Sequence, residues 1–77
     1  MTESQELKPL TKTQNLIFEF IKWFIDENSY SPTSKDIQKR FAFKSVNAAF
    51  EHLKWIEKKG YIKRTPNVAR SIVVLQA

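Results

Sequence analysis

The chain is expected to fold as a mostly α-helical domain with a small β-hairpin at its end. Three observations predict this. Stretches starting at Thr11, Thr33 and Ser45 each open on a capping residue and then place apolar side chains at helical spacing. After the single glycine, Gly60, that period gives way to alternating and β-branched residues. Only a short turn separates the second helical stretch from the third, so the two pair as a helix-turn-helix.

The first nine residues, MTESQELKP, are polar, lack periodicity and end at a proline, so they read as a flexible arm preceding a domain over residues 10–77. TKTQ then fits a capping box, with Thr11 as N-cap and Gln14 reaching back. Leu16, Ile17, Phe20, Ile21, Phe24 and Ile25 follow at helical spacing, and Phe18 and Trp23 widen the apolar surface. SYSP should stop this helix near Asn28. In TSKD, Thr33 and Asp36 make a second box-like start. Ile37 and Phe41, four apart, would face inward; Lys35, Lys39 and Arg40 would face outward. The third helix should start at the N-cap Ser45, run to Lys59 and stop at Gly60, with Lys58 and Lys59 favourably placed against the helix dipole. YIKR and SIVVL read as two strands around the turn TPNVAR, with Pro66 and Asn67 at its tip.

Composition narrows the function. With 77 residues there is room for one small domain, and no cysteine is present to staple it or hold a metal as thiolate. Six Phe, two Trp and two Tyr make a compact apolar core feasible. No apolar run approaches a membrane span, and the polar N-terminus does not resemble a signal peptide, so a cytoplasmic location is expected. There is no nucleophile–base set, glycine-rich phosphate loop or metal-ligand spacing, so neither an enzyme nor a cofactor is expected. The lone His52 lies nearer the buried side of its helix and is given no chemistry. Charge is unevenly spread. Residues 1–28 carry three lysines against five carboxylates, net −2; residues 29–77 carry ten Lys and Arg against three carboxylates, net +7. That skew points to a polyanion partner.

Three helices followed by a hairpin, with the last two helices joined by a short turn, is the plan of a winged helix-turn-helix. LTKTQNLIFEFI, SPTSKDIQKRFAFKSVNAAFEHLKWIEKKGYI and ARSIVVL carry a resemblance to a known family. They resemble the DNA-binding domain of the LexA repressor, which has an LT-x-x-Q helix, a PT-x-x-x-I helix and an S-x-N-A-A-x-E-H-L-K recognition helix. A K-G-Y/V-I entry to the wing and an S-R-G-I-like return strand complete that pattern. The resemblance covers about residues 9–75, and its most specific part is Ser45, Asn47, Ala48, Ala49, Glu51, His52, Leu53 and Lys54 in one register. Three departures stand out: Phe50 occupies a place usually held by a base-reading Glu, Ala42 replaces a turn glycine, and the wing has no glycine. LexA repressors also carry a second, self-cleaving protease domain with the main dimer contacts. Seventy-seven residues do not accommodate it, so the chain resembles the reader without the switch.

On a helical projection centred on Ala49, Leu53 and Ile56 fall on the buried side with Val46 nearby, and Asn47, Glu51, Lys54 and Lys58 cluster opposite. Asn can bond bidentately to adenine, Glu can accept from cytosine N4, and an alanine methyl can touch a thymine methyl. The expected base-reading set is Ser45, Asn47, Ala48, Phe50 and Glu51. Ser45 is an N-cap first. Glu51 could instead pair with Lys54 or Lys58, and Phe50 has packing as its simpler role. Lys39, Arg40, Lys44, Lys54, Lys63, Arg64 and Arg70 are the candidates for the DNA backbone, and the resemblance points to Arg70 as the wing residue near the minor groove.

These readings imply a sequence-specific, double-stranded-DNA-binding transcriptional regulator, a bacterial or phage-type repressor acting by operator occlusion through its third helix and wing, for which tight binding would need a dimer on paired half-sites or a protein partner. The competing reading is a winged-helix protein-interaction module docking a protein partner through Trp23, Trp55, Phe18 and Phe50.

Overall fold

The structure, a computed structural model, describes residues 8–75. Three helices, α1 (Lys12–Asn28), α2 (Ser34–Phe41) and α3 (Val46–Lys58), precede a hairpin of β1 (Ile62–Lys63) and β2 (Val73–Val74). Residues 1–7 of the expected arm lie outside the described residues. Its last two are tied down: the Lys8 carbonyl accepts from the Tyr61 hydroxyl at 2.9 Å, and the Pro9 carbonyl from Lys59 Nζ at 3.0 Å.

The helix starts are set by the capping chemistry read from the sequence. Thr11 and Gln14 form a reciprocal capping box, as do Thr33 and Asp36. Ser45 Oγ accepts from the Ala48 amide at 3.3 Å. α3 ends one residue before the expected stop, with Lys59 as its C-cap, and Gly60 takes the left-handed conformation, φ 95°. The Tyr61 amide then closes back on the Ile56 carbonyl at 3.2 Å.

All three helices turn one stripe inward. Ile17, Phe18 and Ile21 of α1, Ile37 of α2, and Ala49, Leu53 and Ile56 of α3 are buried, with Ile62 and Ile72 closing the core from the hairpin. α1 carries two apolar stripes, and the core covers one. Leu16 and Trp23 therefore stay about half exposed, at 50% and 57%, with Phe20 stacked on Trp23. Phe18 belongs to the buried stripe and meets Tyr61 edge-on, so it is not part of an external docking patch. Val46, expected near the buried side, is 46% exposed; as the first residue of α3 it has no preceding turn to cover it. Among the described residues, no helix is long and apolar enough to cross a membrane.

The hairpin is shorter than YIKR and SIVVL suggested. Only Ile62 with Val74 and Lys63 with Val73 are paired, so the loop spans residues 64–72 and exceeds TPNVAR at both ends. Pro66 and Asn67, φ 64°, make a turn closed by the Val68 amide on the Thr65 carbonyl; Arg70, φ 54°, bends the return arm before a ladder can extend. A side chain takes over there, with Ser71 Oγ bonding both the amide and the carbonyl of Thr65. The return arm is also tied to the α1–α2 connection, because buried Ser31 accepts the Ile72 amide on its Oγ at 3.1 Å.

Ala42 caps α2 in the left-handed region at φ 56°, a conformation that costs a β-carbon-bearing residue about 1–2 kcal/mol. Ala42→Gly is expected to stabilise the domain by about 1 kcal/mol, since part of the relief returns as unfolded-state entropy. A thermal melt should then rise by about 4–8 °C. An unchanged or lower midpoint would mean that the turn before α3 does not hold this backbone.

Candidate nucleic-acid interface

α3 is seated by Ala49, Leu53 and Ile56, each 0% exposed, and this fixes which side faces outward. Asn47, Phe50, Glu51 and Lys54 are all exposed, while Ala48 is half-buried at the edge of that face. The expected base-reading residues therefore stand together at the N-terminal half of one helix. Their surroundings differ. Ser45 is exposed and committed to its cap. Asn47 makes no side-chain hydrogen bond among the described residues. Glu51 pairs with Lys54 at 3.8 Å, with both side chains more than half exposed. Such a pair is worth little in water and leaves the carboxylate available to a stronger donor.

Phe50 departs from a simple reading role. Its ring lies under the Arg64 guanidinium, 4.6 Å from carbon to centroid, so it faces the wing. It remains 39% exposed.

The seven backbone candidates divide by environment. Lys44 and Lys63 are exposed beside the α3 cap and on β1. Lys39 is exposed in the last turn of α2. Arg40 is also exposed, but its guanidinium lies over Phe20 and Phe41 at 5.7 and 5.3 Å, turned toward α1. Lys54 pairs with Glu51 as described. Arg64 is bound to Glu57 through both its amide and its Nε, each at 3.3 Å. Arg70 donates from Nη1 to the Ser31 carbonyl at 3.1 Å and to Asp36 at 3.3 Å, and it covers the Tyr30 ring at 4.6 Å. In this conformation Arg70 spends its charge holding the wing to the start of α2.

One groove joins these parts. Thr33, Ser34 and Lys35 at the start of α2, Phe50 of α3, and Arg64, Asn67 and Arg70 of the wing share its lining. Sequence reasoning left Lys35 as a plain outward lysine and did not assign Glu57 or Tyr30. Lys35 carried a usable signal, since it sits in the first turn of a helix that packs on α3. Glu57 and Tyr30 carried none, because each meets its arginine only after the chain has turned back. His52 stacks on Phe43, 5.1 Å between centroids, in agreement with a packing role.

Comparison with known proteins points in one direction. The sequence model of the family described as LexA DNA binding domain matches residues 7–71. A LexA repressor of Petrotoga mobilis is 45% identical over 69 residues, which cover 90% of this chain and 33% of that protein. A LexA repressor of Colwellia psychrerythraea is 45% identical over 71 residues, 92% of this chain and 34% of that protein. One from Shewanella woodyi is 47% identical over 70 residues, 91% and 34%. The chain thus spans about a third of the length of the curated relatives it matches.

Proposed function

The chain belongs to the LexA DNA-binding domain family, and from that premise we propose that it is a sequence-specific, double-stranded-DNA-binding transcriptional repressor acting by operator occlusion. The observation that carries this reading is the outward face of α3, where Asn47 and Glu51 are exposed and Ala48 lies at the edge, above a fully buried seat.

In this mechanism α3 enters the major groove by its N-terminal half. Asn47 bonds an adenine edge, Glu51 accepts from a cytosine amino group, and the Ala48 methyl meets a thymine methyl. Lys44, Lys39 and Lys63 are the least encumbered phosphate contacts, and the wing lies along the adjacent backbone. Glu51 bears the sign that phosphate repels, so its place on this face suits a base contact better than charge attraction. One such domain buries a limited area on DNA, so tight binding needs two copies on paired half-sites. The protein acts in the bacterial cytoplasm, or in the host cytoplasm if phage-encoded, and it binds without catalysing.

Selection of bound sequences from a random duplex pool tests this directly. The expected product is a pair of related half-sites arranged with two-fold symmetry, whose spacing reports how two copies sit. Equal, purely salt-driven binding to all duplexes would overturn sequence-specific recognition.

A further inference from the structure

Phe50 and Arg64 form a unit that the recognition scheme above does not use. Phe50 lies three residues beyond Asn47, on the same side of α3. Arg64 belongs to the first arm of the wing and reaches back over the Phe50 ring at 4.6 Å. Glu57, the penultimate residue of α3, holds the Arg64 amide and Nε, each at 3.3 Å. The Arg64 side chain is only 18% exposed. One face of the guanidinium is thus covered and its Nε bonded. Its end-on Nη1–Nη2 edge has no hydrogen-bond partner among the described residues. A guanidinium offering only that edge is a fixed fork, which suits the oxygens of a phosphate.

We infer that Phe50 is a positioning residue rather than a base reader: with Glu57 it holds Arg64 as a preset phosphate contact at the junction of α3 and the wing. This rests on the DNA-binding reading above and deepens it. Glu57 orients Arg64 through Nε, and Phe50 supplies the platform that stops the side chain from swinging away. An aromatic ring at the wing-side edge of the reading face is then explained by what it carries. Its consequence is uniform affinity for DNA, whereas a base contact would alter sequence preference.

The experiment is a salt titration of duplex binding, on selected and on random DNA, for the unaltered chain, Arg64→Gln, Phe50→Leu, Phe50→Tyr and the double variant Phe50→Leu/Arg64→Gln. Arg64→Gln is expected to lower the salt slope by about 0.9 on both duplexes, the loss of one phosphate contact. Phe50→Leu keeps an apolar side chain but no ring face, and should reproduce most of that drop. Phe50→Tyr should restore the slope, and the double variant should be no weaker than Arg64→Gln alone. In the free protein, the ring-current shift of the Arg64 Hε resonance should vanish in Phe50→Leu and persist in Phe50→Tyr. An altered base preference in Phe50→Leu with an unchanged salt slope would overturn the inference and make Phe50 a direct reader. An unchanged slope in Arg64→Gln would overturn it as well, while sequence-specific binding by the unaltered chain would leave the repressor reading standing. Failure of the unaltered chain to bind any duplex would sink both.

Discussion

Leu53→Ala is expected to leave the domain largely unfolded and to abolish DNA binding with it. Leu53 is 0% exposed, lies at the middle of α3's buried stripe, and lines the groove beneath Phe50 and the wing. Removing it deletes buried apolar atoms and leaves a cavity, a change that costs about 2–5 kcal/mol. Whole domains have only about 5–15 kcal/mol to lose, and a chain this short belongs toward the lower end. With a urea slope near 1 kcal/mol per molar for a small protein, the unfolding midpoint should fall by roughly 2 M or more, if a folded baseline survives at all. Leu53→Met conserves volume and should cost less than about 1.5 kcal/mol. Circular dichroism in urea checks both variants. An unmoved midpoint in Leu53→Ala would mean that α3 is seated on a different face, and the assignment of its outward residues would fall with it.

Asn47→Ala should act in the opposite way, leaving the fold alone and removing discrimination. Asn47 is exposed and makes no side-chain hydrogen bond among the described residues, so stability should stay within about 0.5 kcal/mol. If its amide bonds one adenine edge, losing it costs about 1–3 kcal/mol on the preferred duplex and relaxes the preference at that base pair. Binding to random duplex, and the salt slope, should not change. Lys44→Ala makes the contrast, since loss of a phosphate contact weakens all duplexes together and lowers the slope by about 0.9. A gel-shift titration of both variants on both duplexes separates the two patterns. Equal losses on preferred and random DNA for Asn47→Ala would remove it from the base-reading set.

The parts of the fold legible in the sequence were those governed by neighbours along the chain. A capping residue and its partner lie three apart, so Thr11 with Gln14 and Thr33 with Asp36 declared the starts of α1 and α2. Gly60 marked the end of α3 because a left-handed backbone there suits glycine. The outward row of Asn47, Glu51 and Lys54 followed from 3.6-residue periodicity once Ala49 and Leu53 were taken as buried. Two features resisted the same reasoning. α1 offers the stripe of Ile17 and Ile21 and the stripe of Leu16, Phe20 and Trp23 at equal spacing, and periodicity does not rank them. In the wing, β-branched residues suggested long strands, but Pro66 and the left-handed Arg70 confine the ladder to two pairs.

Local sequence alone therefore determined where helices begin and end and which side of α3 is polar, because caps and helical pitch act within a few residues. Tertiary structure decided how the charged and aromatic groups on those elements are used. Arg70 is drawn onto Ser31, Asp36 and Tyr30, and Arg64 onto Glu57 and Phe50. A guanidinium on a long, flexible stem takes whichever carboxylate and ring the fold brings within reach. For Arg70 that partner lies 34 residues away along the chain, a proximity that no periodicity encodes.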